Sequence, residues 1–220
     1  MSASDRKVIV WDIPTRLFHW LVAALVAIAY VTWRLNWMDW HVRAGYAVLA
    51  AVLFRVLWGF FGSDTTRFAR FVAGPRAAAR HLAHALEREP DRQVGHNAAG
   101  GWMVLLFLLL LLAQTLTGLY VNNDVADEGP LTGLTPATVA NAITSLHWII
   151  WEALLAAIVL HVLAIIAYAA VKRHNLLTPM ITGTKRLPLS VPAPRRAGSV
   201  RALILLGCSA LAVAALANFL

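Results

Sequence analysis

The sequence predicts an all-α integral membrane protein, and three observations carry that prediction. Apolar residues make up 60% of its 220 positions and charged residues only 14%. Apolar runs of roughly 20 residues recur along it, the length a helix needs to cross a hydrocarbon core of about 30 Å. The basic residues that leave a formal net charge of +8 fall between those runs. In lipid every backbone polar group has to be satisfied within the segment, so runs of this kind are helices.

Five spans follow, over residues 17–36, 42–61, 101–121, 146–171 and 202–220. The first comes after Arg6 and Lys7 and opens on Leu17-Phe18-His19-Trp20. Its Ala27-Ile28-Ala29 imitates a signal-peptide cleavage site, but cutting there would discard His19, and the span is read as uncleaved. The second has His41 at its start, and Arg55 and Trp58-Gly59 toward its inner end. Between spans two and three, Arg67 to Glu89 alternates arginines with apolar residues around Gly74-Pro75, which predicts a pair of short interfacial helices. Span three opens after Gly95-His96-Asn97. In the connection that follows, from Val121 to Ser145, Thr135-Pro136 reads as the cap and first residue of a short helix. That connection is long enough to form a partner or ligand surface. Span four carries His147, Glu152 and His161. From Thr178 to Ser199 the chain is rich in Pro, Gly and basic residues, a linker to span five, whose many small residues suit packing against another helix or subunit.

Charge orients the helices. With the N-terminus in the cytoplasm, seventeen of the nineteen Lys and Arg residues lie on the cytoplasmic side, among them Arg16, Arg55, the arginines from Arg67 to Arg92, and the group from Lys172 to Arg201. Only Arg34 and Arg43 fall outside. Loops retained in the cytoplasm carry such an excess. The outer connection instead carries Asp124, Asp127 and Glu128. Most of the nine Trp lie near span ends, where their rings favour the headgroup level. The basic balance is thus explained by topology, and nucleic acid is excluded as a partner. Five spans leave the C-terminus in the periplasm.

The chemistry lies in the histidines. Of eight, four fall within spans: His19, His41, His147 and His161. Ionisable groups in hydrocarbon are costly and mark function, although a lone intramembrane histidine is often a hydrogen-bonded packing residue. The spacing separates these readings. His147 and His161 are 14 residues apart, about 21 Å along a helix axis and within about 40° of one face. The depths then match in pairs, His19 with His161 on the inner side and His41 with His147 on the outer. Two facing imidazoles can hold a six-coordinate haem iron and exclude water from it. A bare zinc site would bring Cys or carboxylate ligands, and the single cysteine, Cys208, sits in the last span. With no Cys-x-x-Cys-His attachment sequence, the two b-type haems are expected to be bound noncovalently. The fold expectation becomes a four-helix dihaem bundle with one additional C-terminal helix, dividing into a core over 1–187 and a linker plus helix over 188–220.

Haem propionates call for cations or donors at the bundle ends. Arg16, Arg55, His96 and Asn97 are the inner candidates and Arg43 the outer one, although an arginine at a span end serves equally well as a snorkelling charge. His81, His84 and His174 are expected to be solvated. Glu152 lies about 140° around the helix from His147 and faces away from the haems. Its open roles are pairing with Arg43, relaying a proton and lining a quinone pocket. No catalytic residue is assigned.

At these residues the sequence resembles the bacterial cytochrome b561 and nickel-iron hydrogenase b-type subunit family. The matching stretches are Trp11-Asp12-Ile13-Pro14-Thr15-Arg16-Leu17-Phe18-His19-Trp20, His41 with Gly45-Tyr46, Phe54-Arg55 with Trp58-Gly59, and Gly95-His96-Asn97 with Gly100-Gly101. Leu146-His147, Leu160-His161 and the tail from His174-Asn175-Leu176 to Lys185-Arg186 complete the series, over roughly residues 8–187. The resemblance implies a dihaem core ligated by His19, His41, His147 and His161, in a bacterial inner membrane, and quinone-linked electron transfer. Ala98 stands where many relatives have proline, and the fifth span lies outside the family core.

Three functions compete. The first is a respiratory electron-transfer subunit linking a periplasmic cytochrome c or hydrogenase-type partner to quinone, an oxidoreductase component with quinone as substrate. The second is a self-contained enzyme that oxidises superoxide and reduces ubiquinone, with Arg34 and Arg43 drawing in the anion. The third is a haem-free scaffold or transporter.

Overall fold

A computed structural model gives the fold and describes residues 5–84, 87, 93–122 and 129–218. Arg88, Glu89, Arg92, Asp124, Asp127 and Glu128 from the charge pattern above lie outside the described residues. Among the described residues, five helices are long and apolar enough to cross a membrane: α1 (Ile13–Arg34), α2 (Met38–Phe61), α5 (Ala98–Gly118), α6 (Ala137–Ala167, continued by a π turn over Tyr168–Lys172) and α8 (Ser199–Asn218). Two short helices, α3 (Phe68–Phe71) and α4 (Pro75–Ala83), occupy the stretch read as interfacial, and Gly74 and Pro75 mark the start of the second. A further short helix, α7 (Leu177–Thr182), follows the π turn.

Two expectations are corrected. Helix α6 begins at Ala137, so Thr135-Pro136 heads the fourth span itself and does not open a separate helix. The Pro136 carbonyl accepts the first helical bonds, from the Val139 and Ala140 amides. The polar residues that mask this start return their hydroxyls to the helix, Thr144 to Ala140 O and Ser145 to Asn141 O. The supposed linker from Thr178 is also structured. Its residues Thr184–Pro188 form β2, antiparallel to β1 (Asp5–Ile9), in a register that sets Asp5 opposite Pro188 and Ile9 opposite Thr184. The ribbon forms because Val8, Val10 and Leu187 have an apolar patch to bury, completed by Trp11.

The chain folds into two compact units, each assembled from distant segments. The first comprises Met1–Leu17, Leu57–Leu106 and Ile158–Ala202; the second comprises Phe18–Val56, Phe107–Ala157 and Leu203–Leu220.

In the first unit Asp12 ties the segments together. Its Oδ1 accepts the Thr15 amide at 2.9 Å, capping α1, and its Oδ2 accepts the Trp58 indole N–H at 3.1 Å and the Ser63 hydroxyl at 2.5 Å. Trp58 is 0% and Asp12 8% exposed, so the carboxylate is a buried charge kept in place by three donors. Ser63 Oγ in turn accepts the Ala197 amide, bringing the segment before α8 to the same point.

In the second unit α1 and α2 are joined by a three-residue turn. Asn36 takes the left-handed conformation (φ 58°), its amide donates to Trp33 O, and the Trp37 amide donates to Thr32 O. This 6→1 and 5→2 pattern closes a helix when a residue that tolerates positive φ is present, and asparagine is one. The turn places His41 in the first turns of α2. Beyond it the rings of Trp33 and Trp148 meet edge-on at 5.0 Å, and those of Tyr30 and Trp151 stack at 5.4 Å.

Candidate functional site

His41 and His147 share the second unit. Both are half-buried, and each ring is fixed through Nδ1. His41 Nδ1 lies 2.8 Å from the Ala29 carbonyl of α1. A carbonyl only accepts, so Nδ1 carries a proton, which leaves Nε2 as the nitrogen through which the ring could ligate a metal. His147 Nδ1 lies 3.0 Å from Thr117 Oγ1, whose own hydrogen goes to Ala113 O at 2.8 Å. The hydroxyl oxygen therefore accepts from His147, which holds the same tautomer as His41. Gly118 makes this approach possible, since a Cβ there would stand 3.2 Å from His147 Cε1.

These are the second-layer contacts that a metal-bound histidine uses: one nitrogen donates to an oxygen and the other is left for the metal. Two further observations fit a haem at this pair. Gln114 Nε2 donates to His147 Nε2 at 3.0 Å, while Gln114 Oε1 is buried without a hydrogen-bond partner. An unpaired buried amide oxygen costs roughly 1–3 kcal/mol, so a glutamine in that position is readily displaced by iron. Gly45, one turn after His41, has nothing within 4 Å of where a Cβ would stand. The donor set, two imidazoles with no thiolate or carboxylate grouped with them among the described residues, suits haem iron better than zinc.

The other two histidines fall in different units: His19 on α1 in the second, its ring 4.9 Å from that of Trp20, and His161 on α6 in the first. The candidate propionate groups have diverse places. Arg16 Nη1 donates to Ile181 O at 2.5 Å, which holds the side chain over the turn after α7. Gly183 takes a φ of 82° there and leaves room for the guanidinium, since a Cβ would stand 3.1 Å from Arg16 Nε. Arg55 is a buried cation of α2, 2% exposed. His96 sits against the rings of Trp11 and Phe71, at 4.6 and 4.9 Å. Asn97 caps α5, its Oδ1 accepting the Gly100 amide at 2.7 Å. On the second unit Arg43 lies 5.2 Å over the Trp40 ring, and Glu152 is exposed on α6.

One histidine expectation is corrected. His81 is not simply solvated: its Nε2 lies 2.6 Å from the Tyr168 hydroxyl, which also accepts from Asn97 Nδ2 at 2.9 Å. His174 is half-buried near the same ring, at 6.5 Å, whereas His84 is exposed and pairs with Glu87 at 2.7 Å. Sequence reasoning missed Gln114, Thr117 and Tyr168. The available signal for the first two was a pair of polar residues three apart at the end of a leucine run, on a helix that carries no histidine of its own.

Comparison with known proteins gives the same direction. The sequence pattern described as prokaryotic cytochrome b561 matches residues 10–183, which include all four span histidines. A curated protein of Bradyrhizobium diazoefficiens, named a probable Ni/Fe-hydrogenase B-type cytochrome subunit, is 26% identical over 212 residues, covering 81% of this chain and 86% of that protein. No solved structure matches.

Proposed function

From the premise that the chain belongs to the prokaryotic cytochrome b561 family, a membrane b-type cytochrome of electron transfer, we propose that it links a periplasmic redox partner to the membrane quinone pool. In this reading His41 with His147, and His19 with His161, would hold two noncovalent b-type haems, which would supply one-electron iron couples. The observation that carries it is the His41–His147 pair, two imidazoles in one unit with their Nδ1 protons committed to Ala29 O and Thr117 Oγ1.

The chain's own groups do the positioning. The Ala29 carbonyl and the Thr117 hydroxyl set each ring's tautomer and orientation, so that ligation costs little reorganisation. Arg16 and Arg55, with His96 and Asn97, stand as the cationic and donor groups toward the propionates of the inner haem. The apolar helices would exclude water from a bound haem, and a pair of imidazoles would suit it to electron transfer and not to oxygen chemistry. By charge the N-terminus and the basic segments around α4 and β2 face the cytoplasm of a bacterial inner membrane in this reading. Residues 1–187 form the dihaem core in this reading and 188–220 an appended helix.

The hydrogenase-type relative is a subunit by name, which favours a partner-dependent function over a self-contained superoxide oxidase. Purified with whatever subunits accompany it, the protein is expected to pass electrons between that partner and a short-chain ubiquinone, while the chain alone stays idle with superoxide and quinone. Turnover of superoxide by the isolated chain would move the assignment to a superoxide:ubiquinone oxidoreductase.

A further inference from the structure

We propose that Tyr168 and His81 form a proton relay serving quinone chemistry at the cytoplasmic end of α6. This rests on the quinone linkage proposed above and names the residues that would move its protons.

Three elements of the first unit converge on one phenol. Helix α4 brings His81, the cap of α5 brings Asn97, and the π turn at the end of α6 brings Tyr168. An amide N–H can only donate, so Asn97 takes a lone pair of the phenol oxygen and leaves the O–H to donate to His81 Nε2 when that ring is neutral. When His81 carries a proton on Nε2, the same 2.6 Å contact runs the other way and the hydroxyl turns its hydrogen elsewhere. A contact that can be donated from either side is what a proton relay requires.

The position suits the chemistry. Tyr168 lies seven residues beyond His161, close to the same helix face and about 10 Å further along the axis. The π turn that carries it is a feature frequently found at functional sites. It ends at Arg173, whose φ of 57° is left-handed, with the His174 amide bonded to Tyr168 O. The charged and titratable groups around the phenol are Lys172, with Nζ 5.6 Å from the ring centroid, and His174. Beyond His81, the exposed pair His84 and Glu87 gives protons an exchange point with water, their side chains 54% and 60% exposed.

Oxidation of a quinol to a quinone breaks two O–H bonds and releases two electrons and two protons. The electrons go one at a time to haem iron. Each proton moves onto the Tyr168 oxygen while the hydroxyl's own hydrogen passes to His81 and then to water. Reduction of a quinone runs the same path in reverse.

The test uses the full-length, haem-loaded protein in liposomes, with ubiquinol-1 as reductant and dithionite as a reductant that needs no relay. His81→Ala and Tyr168→Phe are expected to keep wild-type haem content and full reduction by dithionite. Reduction by ubiquinol-1 is expected to slow about a hundredfold, the low end of what a positioned acid–base group contributes. Added imidazoles are expected to restore His81→Ala, faster as their pKa approaches the working pH, a dependence that filling a hole would not show. Reduction of His81→Ala by ubiquinol-1 at the wild-type rate, or a loss equal with both reductants, overturns the relay alone. A wild-type protein that dithionite reduces and ubiquinol-1 does not overturns the quinone reading and the relay together.

Discussion

The two compact units use their polar side chains for different ends. In the second unit they serve imidazoles: Thr117 and Gln114 hold His147, and a backbone carbonyl holds His41. In the first they serve helix ends and joints, with Asp12 binding three donors, Asn97 capping α5, and Arg16 reaching the turn after α7. The difference teaches how one apolar chain divides its costly polar groups. Those around His41 and His147 prepare rings for a ligand, while those around Asp12 fix where the helices begin. Substitutions in the two units should accordingly fail in different ways.

The largest expected effect is at the histidines. His147→Ala removes an imidazole that the proposal assigns to the outer haem, and is expected to lower haem content by one per chain, with the helical circular dichroism unchanged. Loss of both haems, or of none, would break the contrast, because the second unit would then not hold a separable site. Next is Asp12→Ala, which strands the Trp58 N–H and the Ser63 hydroxyl and removes the α1 cap. The cost is about 3 kcal/mol, read as a lowered unfolding temperature in detergent. A drop in haem content at unchanged stability would contradict the structural role given to the first unit.

Two smaller effects sharpen the comparison. Thr117→Val keeps the shape beside His147 but removes the acceptor for Nδ1–H, and is expected to weaken haem retention about tenfold in a competition assay with apomyoglobin. Gln114→Leu, by contrast, removes a group that competes for Nε2 and should leave retention equal or better. At the smallest end, Asn36→Ala puts a Cβ-bearing residue with no side-chain compensation into the left-handed turn. That costs about 1 kcal/mol of stability and leaves the haem spectrum unaltered.

The sequence made the five long helices legible because roughly 20 apolar residues in a row have few other physical outcomes. The start of α6 was not legible, because the hydropathy that reveals a span says nothing about polar residues such as Thr144 and Ser145 that return their hydroxyls to the helix. The β ribbon was hidden for another reason. Its strands are five residues each, rich in charge, and lie some 180 positions apart in the chain, so neither strand carries a pattern that points to its partner. In the site, the four span histidines stood out because an imidazole in hydrocarbon is expensive. Gln114, Thr117 and Tyr168 are neutral, and nothing in their own cost marks them. His81 looked solvated because α4 is short and basic, and only the neighbouring π turn reveals what its ring meets. Asp12 was visible within the Trp11-Asp12 motif, but its three donors come from positions 15, 58 and 63, a convergence that only the folded chain displays.

The most direct test of the central claim is a reduced-minus-oxidised visible spectrum of the detergent-purified protein, with haem quantified per chain, repeated for His19→Ala and His41→Ala. Two haems per chain with low-spin b-type bands, and one lost in each variant, is the predicted result. A colourless protein, or a spectrum that neither substitution changes, would contradict the ligand assignment.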